Sequence, residues 1–287
     1  MEFHSPTTIE EAVALLARHG DRAKVLAGGT DLVLDLKAGK AAPEALIWVG
    51  RIPKVAAIER RNGHLRIGAA VTGNMLLGSA AVRQAALPLA LAAEAFGAPA
   101  VRDMATLGGN VVTASPAGDL SIALLALAAV AELAGPRGQR RVPVGDLFVG
   151  PRRSAIAPDE LLLGFEVPAP GGRSGGGFVK LGPRQALAIS VVCAAASVTI
   201  TDGGTCAEAR IALGAVAPTP LRARGAEAAL RGRRLDAAAL AHAADQAVAE
   251  TSPISDVRGS AWYRRRVTPA VVRRALEAAA ARAAGGR

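Results

Sequence analysis

The sequence predicts an α+β protein in two domains. Segments with apolar residues at helical spacing mix with short apolar runs bounded by glycine and proline, which read as buried strands. One asparagine-glycine turn joins two such strands among the helices, and 287 residues suffice for two units of roughly 150. A composition of 51% hydrophobic and 20% charged residues excludes a disordered or fibrous chain. With aromatics at only 3%, the core has to be built from Ala, Val and Leu packed in number.

The first helix spans residues 9 to 19. Thr8-Ile9-Glu10-Glu11 has the form of a capping box, Ile9, Val13 and Leu16 share one face, and Gly20 ends the repeat. Lys24 to Ala27 reads as a buried strand, Gly28-Gly29 as a tight loop, and Thr30-Asp31 as the cap of a helix from Leu32 to Lys37. Ala45 to Val49 is a second buried strand. Asn62-Gly63 signals a hairpin between Ala57-Ile58 and Leu65-Arg66-Ile67. The Ala/Leu-rich stretch from Asn74 to Phe96 predicts a helix interrupted near Pro88, followed by loop from Gly97 to Asn110. A second pair, Gly108-Gly109, precedes a helix from Leu120 to Ala128 opened by Asp119. Strands follow at Val130–Leu133, Arg141–Val144 and Leu161–Val167.

Residues 168 to 177, rich in proline and glycine, read as a linker, which sets the domain boundary at residue 172. Beyond it, strands are expected at Phe178–Leu181, Leu187–Ile200 and Ala209–Val216, with Asp202-Gly203-Gly204 turning between the last two. Helices at Leu221–Leu230, Asp236–Glu250 and Trp262–Ala284 close the chain.

Lys and Arg number 34 against 24 Asp and Glu, a net charge of +10. The arginines are dispersed except for Arg264, Arg265, Arg266, Arg273 and Arg274, and rings for base stacking are scarce, so nucleic-acid binding is not expected. That cluster reads as a solvated or subunit-facing helix surface. Cys193 and Cys206 cannot form a disulfide framework or an iron–sulfur site, and no leader or long uncharged apolar stretch is evident, which points to the cytoplasm. His4, His19, His64 and His242 show no close ligand spacing, and no metal site is expected.

A Gly-Gly pair between strand and helix lets backbone approach a ligand and turns successive N–H groups toward an anion. Alone, each pair is more often a plain tight turn. Two of them, followed by Thr30 and by Asn110, Thr113 and Ser115, could clamp a dinucleotide diphosphate from both sides. Neither a Rossmann fingerprint nor a phosphate-binding P-loop is present. Asp119 reads as a helix cap or as an acceptor for ligand hydroxyls. Lys180, between Val179 and Leu181, reads as a snorkelling surface lysine or as a cation near a flavin ring.

Residues 26 to 32, Leu-Ala-Gly-Gly-Thr-Asp-Leu, and 106 to 120, Thr-Leu-Gly-Gly-Asn-Val-Val-Thr-Ala-Ser-Pro-Ala-Gly-Asp-Leu, together resemble the FAD-binding medium subunit of molybdenum hydroxylases. This family contains the carbon monoxide dehydrogenase and xanthine dehydrogenase enzymes. The resemblance extends over the strand from Asp159 to Pro168, the segment Phe178 to Arg184, and Tyr263-Arg264-Arg265-Arg266. It implies a two-part FAD-binding domain of the vanillyl-alcohol oxidase type over residues 1–172, with subdomains of about 1–55 and 56–172. A C-terminal domain of the carbon monoxide dehydrogenase flavoprotein type, with a three-stranded antiparallel sheet and a helical bundle, would occupy 173–287.

The resemblance further implies that FAD contacts Ala27, Gly28, Gly29, Thr30 and Asp31 in the first loop. Thr106, Gly108, Gly109, Asn110, Thr113 and Asp119 belong to the second, and Phe96, Leu163 and Lys180 fall near the flavin or adenine. No catalytic side chain is implied. Molybdopterin-bound molybdenum would sit on a large subunit and two [2Fe–2S] clusters on a small one, in a dimer of heterotrimers. Gly-Gly-Thr-Asp replaces the Gly-Gly-His-Ser or Gly-Gly-Gln-Ser of many carbon monoxide dehydrogenases, so carbon monoxide is not singled out as substrate. Two cysteines also cannot supply the extra cluster of the hydroxybenzoyl-CoA reductase branch. A self-contained flavin oxidase or reductase, and a flavin-free scaffold subunit, remain the rival readings.

Overall fold

The computed structural model describes residues 1–285. Its first unit is a parallel three-stranded sheet of β1 (Glu2–His4), β2 (Ala23–Leu26) and β3 (Ala45–Trp48), in the order β1-β3-β2. Helix α1 (Ile9–His19) connects the first two strands and α2 (Leu32–Lys37) the last two. The Thr8 hydroxyl accepts the Glu11 N–H and caps α1 as the sequence requires, while the Glu11 carboxylate accepts the N–H of Thr7.

A five-stranded antiparallel sheet follows, built from β4 (Ile58–Arg61), β5 (His64–Gly68), β6 (Val130–Gly135), β7 (Gly138–Pro143) and, after the small ribbon of β8 (Phe148–Gly150) and β9 (Arg153–Ser154), β10 (Leu161–Pro168). β10 lies at its centre, between β5 and β6. Asn62 and Gly63 both adopt positive φ, the pairing a type I′ hairpin demands. The interval between β5 and β6 holds α3 (Gly73–Gly78), α4 (Ala80–Ala85), α5 (Leu87–Ala95), α6 (Pro99–Met104), α7 (Leu107–Val112) and α8 (Asp119–Ala126). The single interrupted helix expected over 74–96 is therefore three, broken at Ser79, whose hydroxyl caps α4, and at Ala86. Pro88 sits in the first turn of α5, where its missing N–H costs nothing. The expected loop from 97 to 110 contains α6 and most of α7, one begun by proline and one capped by Thr106.

The third sheet comprises β11 (Arg173–Leu181), β12 (Val192–Ile200), β13 (Cys206–Gly214) and the two-residue β14 (Leu221–Arg222), all antiparallel. Helices α9 (Arg224–Leu230), α10 (Ala237–Ala249) and α11 (Ala261–Ala283) cover one face. The opposite face packs Cys193, Ala195 and Ala212 on Ile122, Leu125 and Ala126 of α8. Burial from both sides makes β12 apolar from Val192 to Ala196, and alternation returns only at Ser197 and Thr199.

Residues 173–177, read from sequence as linker, form the first half of β11. Their glycines serve close packing: a Cβ at Gly175 would lie 2.1 Å from the Ala279 carbonyl oxygen, and one at Gly177 2.2 Å from that of Ala275. Thus α11 rests directly on strand backbone. Arg264 departs from the expected basic surface as well. It is buried, donating to the carbonyls of Val191 (2.6 Å) and Ala215 (3.0 Å) and to the Asp256 carboxylate (2.7 Å). Arg265, Arg266, Arg273 and Arg274 remain exposed. Arg264→Ala takes a buried donor from two carbonyls and leaves Asp256 with Arg258 alone, and is expected to cost about 3 kcal/mol in a urea denaturation series, whereas Arg265→Ala stays within about 0.5 kcal/mol.

Candidate functional site

A cleft of about 540 Å³ opens between the first glycine loop, the segment from Ala105 to Thr113, and residues 152–162. Its floor depends on one backbone contact. A Cβ on Gly28 would lie 1.7 Å from the carbonyl oxygen of Met104, so only glycine lets the loop after β2 rest on the C-terminal end of α6. Gly29 follows in the left-handed region at φ 72°. The N–H groups of Gly28, Gly29, Thr30 and Asp31 donate to no acceptor among the described residues. Four successive free donors beside a cleft are the raw material of a backbone anion cradle.

The second glycine pair behaves differently. Its N–H groups are consumed in packing: Leu107 donates to Val71, Gly108 to Ala69, and Gly109 to the Thr106 hydroxyl at 3.0 Å. This segment therefore offers side chains rather than backbone. The Asn110 Oδ1 accepts from both the N–H (3.0 Å) and the hydroxyl (2.9 Å) of buried Ser121, which leaves the Asn110 amide NH2 as the free end. The Thr113 hydroxyl donates to Asp31 at 3.1 Å and ties the two loops together.

Ala27, Gly28, Gly29, Thr30, Asp31, Phe96, Thr106, Gly108, Gly109, Asn110 and Thr113 all line the cleft. Three residues expected at the site lie outside its lining. Leu163 packs into the core beneath α1, with Ile9, Ile47 and Ala134, while its neighbours Leu161 and Leu162 reach the cleft. Asp119 is 4% exposed and makes no cap bond; its carboxylate accepts from Lys180 Nζ at 2.6 Å and from Ser190 at 2.9 Å. Lys180 also donates to the Ala95 carbonyl, so it is neither a surface lysine nor open to the cleft, though it braces the residue before Phe96. Burial pushes the Asp119 carboxyl above its ordinary range, against the pull of Lys180 and Ser190. The buried Cys193 thiol beside it is pushed up for the same reason.

Sequence reasoning passed over several lining residues: Lys24, Lys40, Arg152, Ser154 and Glu160. Lys24 and Lys40 have no carboxylate within 4.0 Å among the described residues, and supply unneutralised positive charge. Arg152 is paired with Asp35 at 2.8 Å. Glu160 is gripped by both arms of Arg140, which together with the Ala157 N–H hold it below the usual carboxylate range. Only the position of Lys24, just before the glycine loop, was a usable signal.

Residues 1–170 match the family described as FAD binding domain in molybdopterin dehydrogenase, and residues 178–279 match the CO dehydrogenase flavoprotein C-terminal domain. The carbon monoxide dehydrogenase medium chain of Hydrogenophaga pseudoflava is 38% identical over 284 residues, covering 99% of this chain and 98% of the relative. A putative xanthine dehydrogenase FAD-binding subunit of Escherichia coli (strain K12) is 30% identical over 287 residues, covering 99% of this chain and 97% of the relative. The solved carbon monoxide dehydrogenase from Hydrogenophaga pseudoflava lacking the Mo-pyranopterin moiety superimposes with a TM-score of 0.94 at 37% identity, over 98% of each chain.

Gly28→Ala is expected to part the two loops at a cost of about 2–3 kcal/mol in chemical denaturation. Gly78→Ala, where a Cβ meets nothing within 4 Å, is the near-neutral control. Lys180→Met strands a buried carboxylate and costs about 3–5 kcal/mol near neutral pH. Because the Asp119 carboxyl lies above its unfolded value, the folded state holds its proton longer. Stability falls as pH rises from the ordinary carboxylate range through that raised value, more steeply in Lys180→Met, as a series of urea midpoints against pH would record.

Proposed function

This chain belongs to the FAD-binding medium chains of the molybdenum hydroxylases, and from that premise we propose that it is the electron-transfer subunit of such a complex. In this reading a large molybdopterin subunit oxidises the substrate, and a small subunit with two [2Fe–2S] clusters relays electrons here. This chain then delivers them to an external acceptor, in a dimer of heterotrimers in the cytoplasm. The observation that carries the reading is the cradle of four free N–H groups from Gly28 to Asp31 beside a cleft of cofactor size.

The residues present fit FAD. The cradle would take the diphosphate, with the Asn110 amide and the Thr30 hydroxyl as further donors. Lys24 and Lys40 would offset its charge. Phe96 offers an apolar face for a ring system, held against the core on its other side. Bound there, FAD supplies the one- and two-electron chemistry that no side chain of this chain provides. The protein's task is to hold, orient and exclude water. Asp31, Asp35 and Glu160, the carboxylates of the cleft, are each engaged by Thr113, Arg152 or Arg140, which argues against a resident proton-abstracting base and hence against a self-contained oxidase. We place the division between the FAD-binding and C-terminal domains at residue 172, supported by the change of sheet between β10 and β11.

Asn110→Ala removes a donor and unpairs Ser121, and is expected to weaken FAD retention about tenfold. Gly109→Trp fills the cleft wall and is expected to abolish it. Visible absorption after desalting, with the released nucleotide identified by chromatography, reads both. Unchanged flavin content in the two variants overturns the binding assignment, and a wild-type chain that binds no FAD alone or within its co-expressed complex supports the scaffold reading.

A further inference from the structure

At the far end of α1, three side chains converge that the function above does not use. Glu2 and His4 share one face of β1, two residues apart. His19 is the last residue of α1, turned by Gly20 at φ 54°. His4 and His19 lie fifteen positions apart in sequence, but the strand-to-helix connection brings one ligand atom from each of Glu2, His4 and His19 within 4.8 Å of one another. His4 Nε2 is 2.9 Å and His19 Nε2 3.9 Å from the same Glu2 oxygen, and the rings lie 5.6 Å apart.

A hydrogen bond between His4 and Glu2 explains two of the three groups. It leaves His19 Nε2 buried with no hydrogen-bond partner, a condition that folded proteins nearly always avoid. We propose that Glu2, His4 and His19 form a binding site for one divalent transition-metal ion, of which zinc is the natural occupant. Two imidazole nitrogens and one carboxylate oxygen favour zinc, cobalt, nickel or copper over magnesium or calcium, which prefer all-oxygen shells. Tetrahedral zinc with ligand bonds of about 2.0–2.2 Å sets its ligand atoms about 3.3–3.6 Å apart. The separations of 2.9 and 3.9 Å from the Glu2 oxygen straddle that value, and with the whole set inside 4.8 Å, side-chain rotation would have to draw the three atoms around the ion. Water would take the fourth position. The ion would pin the short edge strand β1, which pairs only with β3, to the end of α1.

The test uses the untagged full-length chain, freed of metal by chelator and dialysis. Zinc titration by calorimetry, and cobalt titration by visible absorption, are expected to show one equivalent bound with the cobalt spectrum of a tetrahedral site. His19→Ala and His4→Ala are each expected to weaken binding at least about 100-fold, since even outer-shell changes cost about 10–100-fold. His242→Ala, at an exposed position on α10, leaves it intact. Zinc is also expected to raise the melting temperature of the wild-type chain and not that of His19→Ala, while the metal-free melting temperatures of the two serve as the folding control. Absence of saturable one-equivalent binding overturns the proposal, as does equal affinity in the wild-type chain and both variants.

Discussion

Backbone against backbone at Gly28 and Met104 is the contact on which the cleft depends. No side chain stands between the two segments, and any Cβ there would fall within bonding distance of a carbonyl oxygen. Because the loop after β2 rests on α6, residues 28 to 31, whose N–H groups have no acceptor among the described residues, line the same cleft as Asn110 and Thr113. The bond from Thr113 to Asp31 then joins two loops that approach from different sheets. The division of labour follows from hydrogen-bond supply: the first loop has donors to spare, while the second has spent its own on Ala69 and Val71 and offers only side chains.

The same device recurs where the last domain meets the rest. Gly175 and Gly177 lay β11 on the backbone of α11, and Gly176 lies against Pro88 of α5. The opposite face of this sheet receives α8, every residue of which is buried. Charge is admitted into this seam only in paired form. Lys180 and Asp119 neutralise one another, with Ser190 satisfying the second carboxylate oxygen. Desolvation raises the cost of the carboxylate and the lysine offsets it, so each ion is tolerable only because the other is there. Lys180 is thereby held beside Ala95, and its bond to that carbonyl braces the backbone leading to Phe96.

Family membership and local geometry contribute different things to the functional reading. The matches over 1–170 and 178–279 establish an FAD-binding medium chain. The geometry adds which atoms are available to hold a diphosphate, and shows that the acids of the cleft are already committed.

The sequence alone determined whatever depends on neighbours along the chain. The cap at Thr8, the turn at Asn62-Gly63, the first glycine pair and the long closing helix are local matters of propensity and spacing, and they stand where the residues put them, whereas the second glycine pair, read as loop, lies in α7. It also carried, through two motifs, the resemblance that identified the family and ten of the residues that line the cleft, with Phe96 an eleventh from outside the motifs. Only the tertiary structure decided the rest. A glycine run looks the same whether it flexes or is pressed against a helix, so residues 173–177 read as linker and fold as strand. An aspartate before an apolar helix looks like a cap until a lysine 61 residues away claims it. Arginines in a row look alike until one of them, Arg264, finds two carbonyls and a carboxylate from other segments. His4 and His19 are likewise unrelated in sequence and neighbours in space. In each case the deciding partner comes from a distant segment, and a pattern read along one chain holds no record of which distant groups packing will bring within 3 or 4 Å.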